Sequence, residues 1–149
     1  MENRRTVGGI GAASEKFLVF ILGACAYLSA ELLYRGYSHI TMFFAGGLCF
    51  LLIYMCEKKL YFLKTVYRCV IYAFMITAVE FMFGVVFNMM LGMKVWDYSE
   101  EPFNILGQVC PGFVFVWFIL SFPAIFICRR LSFFFDRLRQ KHRDNALDK

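Results

Sequence analysis

Catalytic and metal-binding motifs are missing from this 149-residue sequence. It has no Gly-x-x-x-x-Gly-Lys-Ser/Thr segment, whose backbone amides would cradle nucleotide phosphates, so the chain is not itself an ATPase of that class. Neither Gly-x-Ser-x-Gly nor His-Glu-x-x-His occurs, and no nucleophile-base set replaces them. These absences predict that the chain is not an enzyme, and a membrane enzyme is the least favoured of the functions considered below.

Cysteine and histidine are too scattered for a metal site. None of the 6 cysteines forms a Cys-x-x-Cys pair, and zinc-ligand spacing is absent. His39 and His142 fall on opposite sides of the predicted membrane and cannot form one site. The thiols are expected to be reduced and to pack as small hydrophobes. The sequence therefore predicts no metal and no cofactor.

Charge is scarce as well, since only 18% of the residues are charged and 60% are hydrophobic. A soluble domain of this length would need more polar surface to cover its core. The apolar residues fall into four blocks that are long enough to cross a bilayer as helices. We predict an all-α, polytopic four-helix bundle with spans at about 17–34, 40–56, 66–91 and 105–128. A removable signal peptide is not expected, because the first block is too long.

Basic residues predict the orientation of this bundle. All but two of the 16 Lys and Arg residues lie in the tail 1–16, between the second and third blocks, or in the tail 129–149. The two exceptions are Arg35 and Lys94. The positive-inside rule therefore predicts a plasma-membrane protein with both termini in the cytoplasm.

The C-terminal tail contains a second apolar pattern. Leu131, Phe134, Phe135 and Leu138 recur at helical spacing among several arginines, which predicts a short amphipathic helix on the inner leaflet. The alternative is a solvated basic tail that only fixes topology. A nucleic-acid partner is not predicted, because the basic charges already have a membrane role.

Glu80 is the most unusual residue, because it lies inside a long apolar helix. With Ala73, Thr77, Gly84 and Asn88 it forms a small and polar stripe on one helical face. A charge at this depth costs about 2.5–3.5 kcal/mol on insertion scales. The stripe indicates either a site coupled to protons, cations or substrate, or a structural hydrogen bond between helices, and both interpretations stay open.

Glu31 is the second intramembrane carboxylate, near the outer end of the first span. Arg35 follows it by four residues in the order that favours a helical ion pair, so a local pair is the simpler interpretation. If Glu31 and Glu80 faced one cavity, they could share a proton or a cation.

The outer loop before the fourth span is unusually polar. Trp96 and Tyr98 suit the headgroup level, and Asp97 and Ser99 favour turns. An interfacial turn explains each residue singly, and a binding role for the loop is the minor alternative. The loop also contains a helix breaker and a possible cap for the fourth helix, Pro102 and Asn104. Pro111 and Pro123 are predicted to kink that helix.

Several stretches resemble one family of small bacterial membrane proteins. The strongest is Trp96-Asp97-Tyr98-Ser99-x-x-Pro102-Phe103-Asn104-x-x-Gly107-Gln108-x-Cys110, followed by Trp117. Others run from Glu31 through Arg35 to His39, from Met42 to Phe50 and from Glu80 to Asn88. Together they cover roughly 28–120 and resemble the putative ABC-transporter type IV family. The resemblance implies a transport role, with a homo-oligomer or a larger partner and a separate ATPase.

Three functions follow. The first is a permease-like subunit, with a cavity that reaches the carboxylates of Glu31 and Glu80. The second is a small proton-coupled exporter acting as a dimer, for which the strong charge bias favours a single orientation. The third is a non-transporting scaffold or assembly protein, with Glu80 and Asn88 as interhelical contacts and no cavity.

Overall fold

The computed structural model describes residues 4–147, with side chains for 11–141 and 143. Helix α1 spans Arg4–Arg35, α2 spans Ile40–Leu60, α3 spans Thr65–Phe83 and α4 spans Pro111–Leu147, and a π-helical segment, Gly84–Met90, continues α3. Between 4 and 147 the only β-type pairing is an isolated bridge from Ile105 to Val109. The all-α prediction is therefore confirmed.

Four helical segments are long and apolar enough to cross a membrane: Gly11–Arg35, Ile40–Leu60, Thr65–Met90 and Pro111–Lys141. The shortest has 21 residues, which at helical rise extends roughly 30 Å and matches the hydrocarbon thickness. The chain is thus a multi-pass membrane protein of four helices. The predicted cytoplasmic termini depend on charges partly outside the described residues, since Lys149 and the side chains of Arg4 and Arg5 are not described.

Glycines let α1 and α2 pack closely. A Cβ added at Gly46 of α2 would lie 2.3 Å from the Cβ of Tyr27 on α1, and one added at Gly23 would lie 2.2 Å from the Cβ of Phe50. Small residues at such positions bring backbones together and increase van der Waals contact between membrane helices. Helix α2 also contacts α3 and α4, which pack on each other, so it is the central element.

Two buried apolar clusters hold the bundle together. The larger lies toward the tails and includes Val19, Ile53, Tyr72, Ile125 and Cys128. The smaller lies at the other end, where Met42 packs against Val95 and Trp96 of the 91–110 loop. The loop is therefore packed onto the ends of the helices.

The first helix begins earlier than predicted. It begins at Arg4, whereas the sequence prediction placed a cytoplasmic tail over 1–16 and a span from 17. Within that tail, Glu15 is buried and binds Tyr54, Lys58 and Arg139. These contacts hold the end of α1 in place. The polar, glycine-containing composition of residues 1–16 had not indicated a helix there.

The fourth helix begins later than the predicted residue 105. Phe103, Leu106 and Gly107 have φ of 57°, 54° and 67°, so the backbone turns where a helix was predicted. Asn104 therefore caps no helix, and its Oδ1 accepts a hydrogen bond from the Gly107 amide at 2.9 Å. Pro111 is the first residue of α4, where its missing N–H costs nothing, and only Pro123 lies inside the helix.

Helix α4 continues without a break through the segment predicted as a separate amphipathic helix. Leu131 and Phe135 pack against the larger apolar cluster, while Phe133, Phe134 and Leu138 are exposed. The segment is helical with an apolar side, and its placement on the inner leaflet stays a prediction.

Candidate functional site

Glu80 is buried where three elements meet. Its carboxylate lies on α3, accepts a hydrogen bond from Trp117 Nε1 of α4 at 2.9 Å, and accepts another from the Tyr98 hydroxyl of the loop at 3.1 Å. The side chain is 6% exposed, and no salt bridge in the described part of the chain includes it. The carboxylate is thus held by neutral donors.

Aromatic rings fix these two donors. The Tyr98 ring stacks on Phe113 with centroids 4.5 Å apart and planes inclined by 20°. The Trp117 ring lies 6.3 Å from Phe113 and 6.0 Å from Tyr27 of α1. Offset and tilted contacts at these distances are favourable and restrict ring orientation. The hydrogen bonds to Glu80 are therefore preorganised by packing.

A cavity of about 220 Å³ lies beside Glu80, between all four helices. Glu80 is its only charged lining residue, and most of the other lining side chains are apolar. Ala26 and Ala30 of α1 and Leu120 and Ile127 of α4 line the cavity and are also exposed at the surface. The cavity therefore opens sideways between α1 and α4, toward the region that lipid occupies.

Asn88 holds the loop and does not line the cavity. Its Nδ2 donates to the Trp96 carbonyl at 3.0 Å and to Gln108 Oε1 at 2.8 Å, and its Oδ1 accepts from the Val95 amide at 2.7 Å. Gly84 leaves room for Gln108, because a Cβ there would lie 2.5 Å from Oε1. The predicted polar stripe therefore divides into a cavity residue, Glu80, and a loop anchor, Asn88.

Glu31 has donors of its own. It forms an ion pair with Arg35 and accepts a hydrogen bond from the Ser38 hydroxyl. Glu31 does not line the cavity, so the structure does not bring the two predicted carboxylates into one site.

Most of the outer-loop motif closes turns. Asp97 Oδ1 accepts from the Ser99 amide at 2.9 Å and the Ser99 hydroxyl at 2.5 Å, and these bonds hold the pKa of Asp97 below its usual value. Asn104 Nδ2 donates to the carbonyls of Ser99 and Glu101 at 3.1 and 2.8 Å. Pro102 lies exposed in the same turn.

Of the six predicted outer-loop residues from Trp96 to Asn104, only two reach inward. Trp96 is buried and donates from Nε1 to the Gln108 carbonyl at 3.0 Å. Tyr98 reaches Glu80, and burial together with that carboxylate raises the pKa of Tyr98 above its ordinary value. The loop therefore has one side chain, Tyr98, in direct contact with the carboxylate at the cavity.

Sequence reasoning missed a buried network at the tail end of the bundle. Arg68 Nη1 pairs with Glu57 Oε2 at 2.5 Å, and the Tyr72 hydroxyl donates to Glu57 Oε1 at 2.8 Å. Both charged side chains looked like loop charges because they lie near the ends of the predicted spans, Glu57 beside Lys58 and Arg68 four residues after Lys64. The available signal was spacing, since each falls about one turn inside its helix.

The role of Trp117 as a donor to Glu80 was also missed. An indole N–H in the middle of an apolar helix needs an acceptor, and this requirement could have identified Trp117 from the sequence. Metal chemistry receives no support from the described residues, which contain no group of three or more His, Cys, Asp or Glu side chains able to hold a metal ion.

Comparison with known protein families gives a match. A family model described as putative ABC-transporter type IV matches residues 10–145, which is most of the chain, and confirms the family that the motifs indicated. No curated protein matches the chain, and no solved structure matches it.

Proposed function

This chain belongs to the putative ABC-transporter type IV family, and from that membership we propose that it is a permease-like membrane subunit. In this proposal the chain contributes four helices and a substrate-contacting cavity, and a separate ATPase supplies the energy. Four helices are few for a complete pathway, so further copies or another membrane subunit complete it. The proposed orientation places both termini in the cytoplasm, where the ATPase is available.

The observation that supports this function best is the position of Glu80 in the wall of a cavity. The permease hypothesis predicts a cavity that reaches an intramembrane carboxylate, whereas the scaffold hypothesis predicts none. A carboxylate has about four acceptor positions, and Trp117 and Tyr98 occupy two of them. In this proposal the remaining positions accept hydrogen bonds from a substrate group.

The chemistry of the cavity suggests a class of substrate. An apolar wall with one carboxylate suits a molecule with an apolar body and a cationic or hydrogen-bond-donating group. An engineered apolar cavity of about 150 Å³ binds benzene, and this one is about 220 Å³. The sideways opening would admit such a molecule from the bilayer, where it concentrates.

Tyr98 gives specific support to the proton-coupled exporter as a second function. Its hydroxyl can donate to a carboxylate or accept from a carboxylic acid, so the contact with Glu80 persists in both protonation states. Infrared difference spectroscopy of the protein in nanodiscs, with Glu80→Gln as the reference, would detect a proton on Glu80. Titration within the accessible pH range supports coupling, and a fixed state contradicts it.

The permease proposal is tested with two small probes, benzylammonium and benzene, added to the purified protein. The reporter is the indole N–H signal of Trp117 in a proton–nitrogen NMR spectrum, which is assigned by its loss in Trp117→Phe. We expect benzylammonium to shift this signal saturably. Glu80→Gln should weaken that binding by about tenfold or more, because hydrogen bonds to charged groups contribute roughly 1.5–3 kcal/mol.

Two controls separate the carboxylate from the cavity. Benzene should bind wild-type protein and Glu80→Gln alike, since it needs only the apolar wall. Glu31→Gln removes a carboxylate that does not line the cavity and should leave benzylammonium binding unchanged. If benzylammonium binds wild type and Glu80→Gln equally, or neither probe shifts the signal, the scaffold function replaces the permease proposal.

A further inference from the structure

A second cavity lies at the tail end of the bundle, which is the end opposite the 91–110 loop. We call it the tail-end pocket, and it has a volume of about 240 Å³. Its charged lining residues are Glu15, Lys16, Lys58, Lys59 and Arg139, which come from α1, α2 and α4. It shares no residue with the cavity beside Glu80.

Glu15 forms the base of the tail-end pocket. Its side chain is 6% exposed, and Lys58 Nζ lies 2.8 Å from Oε1. The Tyr54 hydroxyl and the Arg139 guanidinium also donate to this carboxylate. Glu15 therefore holds one cation from α2 and one from α4 at fixed places on the pocket wall.

The pocket retains a surplus of positive charge. Its lining has four cations and one carboxylate, and Asp136 outside the lining also pairs with Arg139. Neither Lys16 nor Lys59 belongs to a salt bridge in the described part of the chain, so these two lysines carry the surplus. A concave surface with one excess sign of charge concentrates ions of the opposite sign. Lysine suits a phosphate group as a point charge.

The depth of the pocket identifies where that phosphate comes from. The candidate span of α2 ends at Leu60, next to the lining residue Lys59, so the pocket lies at headgroup level. On the adjoining turn of α1, Phe17 and Leu18 are 64% and 55% exposed and suit contact with acyl chains. Basic pockets between membrane helices at this depth bind anionic headgroups.

We propose that the tail-end pocket binds the phosphate group of an anionic membrane lipid. The lipid phosphate lies between Lys16 and Lys59, beside the Lys58 and Arg139 cations that Glu15 holds in place. Occupation of the pocket bridges α1, α2 and α4 and stabilises their tail ends against one another.

The test uses the purified full chain in neutral detergent with phosphatidylglycerol diluted into phosphatidylcholine, and native mass spectrometry counts the bound lipids. The variant is Lys16→Gln/Lys59→Gln, which leaves the Glu15 contacts in place. If each lysine contributes the roughly fivefold factor typical of a basic residue at an anionic surface, retention of phosphatidylglycerol falls about 25-fold. The matched control, Lys64→Gln/Lys141→Gln, removes the same charge from exposed positions outside the pocket and should retain the lipid.

Three outcomes would overturn the proposal. Equal loss in both double variants would show diffuse attraction of the whole basic end rather than a site. Equal retention in wild type and Lys16→Gln/Lys59→Gln would show that the pocket holds no lipid phosphate. Binding of inorganic phosphate with an affinity equal to that of phosphatidylglycerol, lost in the same variant, would assign the pocket to free phosphate.

Discussion

Glu80, Tyr98 and Trp117 differ in how they can hold a proton, and this difference governs what the site can do. The indole of Trp117 only donates, so its bond to Glu80 Oε2 is present whether or not the carboxylate carries a proton elsewhere. The Tyr98 hydroxyl both donates and accepts, so its bond to Oε1 can reverse direction. One contact therefore fixes the position of Glu80, and the other tolerates a change in its charge.

The Trp117–Glu80 bond is expected to contribute measurably to stability. Trp117→Phe leaves an oxygen of a buried carboxylate without its donor, which should cost about 1–3 kcal/mol. Glu80→Ala combined with Trp117→Phe should cost less than the sum of the two single changes, because each removes the same contact. Reversible unfolding in mixed micelles measures the four proteins, and strict additivity would contradict the contact.

Glu57 and Arg68 form a buried ion pair, in contrast to Glu80, which has neutral hydrogen-bond donors. Both are almost fully buried, and the described contacts give Arg68 Nη1 and Nη2 partners at Glu57 and Thr65 but leave its Nε without one. Removing one partner of such a pair leaves an uncompensated charge, which is more costly than replacing both. This pair and Glu80 therefore place charge inside the bundle in different ways, one ion-paired and the other held by neutral donors.

At the scale of elements, composition predicted the four helices well, because apolar length alone specifies a membrane span. The 91–110 loop could not be predicted in detail. Lys94, Phe103 and Leu106 have positive φ without being glycine, so no local residue preference signals those turns. The loop is held from outside by Asn88 on the π-helical segment, which binds the Val95 amide and the Gln108 side chain.

The candidate site, too, could be predicted only in part from the sequence. Glu80 could be identified from the sequence, because a lone carboxylate in an apolar helix is unusual wherever the helix packs. Its partners could not be identified, since Tyr98 and Trp117 lie 18 and 37 residues away and only tertiary packing brings them to it. Glu15 was missed because a single charge in a polar tail gives no sign that α2 and α4 will cover it.

The α1–α2 interface provides a prediction at this scale. Gly46→Ala should destabilise the protein by about 1–3 kcal/mol, because the new methyl group meets the Cβ of Tyr27 and overpacks the interface. Gly11→Ala on α1 is the matched control, since among the described residues no atom outside the surrounding helical backbone lies within 4 Å of a Cβ there. It should raise stability by up to about 1 kcal/mol through helix propensity. Unfolding in mixed micelles measures both, and effects of the same sign would contradict the close packing.

At the scale of the whole molecule, the four spans and the proposed orientation determine which surfaces meet which compartment. The 36–39 turn and the 91–110 loop lie at one end, and the 61–64 turn lies at the other with both tails. The apolar cavity lies between these ends and opens sideways, while the basic pocket lies at the tail end. In the proposed orientation, the apolar cavity therefore lies at the level of the acyl chains and the basic pocket at the level of the cytoplasmic headgroups.

Orientation gives the prediction for the whole molecule. A membrane-impermeant maleimide added to intact cells should label Glu100→Cys, whose side chain is exposed in the outer loop. It should label Lys141→Cys only after the membrane is opened, because the basic end is predicted to be cytoplasmic. The parent protein, with its native cysteines, gives the background signal. Labelling of both variants in intact cells would indicate two orientations and contradict the prediction.

Helix α4 links the contacts at the two ends of the bundle. It carries Trp117 against Glu80 and Arg139 against Glu15, on either side of its internal proline, Pro123. The part beyond Pro123 extends about 36 Å at helical rise, and a swing of about 10° at that proline would move its tip by about 6 Å. If α4 bends at Pro123, its shorter part carries Trp117 at the cavity, and its longer part is held to α1 by the contact between Arg139 and Glu15. Under the permease proposal, a substrate that displaced Trp117 would therefore strain the Arg139–Glu15 contact at the other end of the helix.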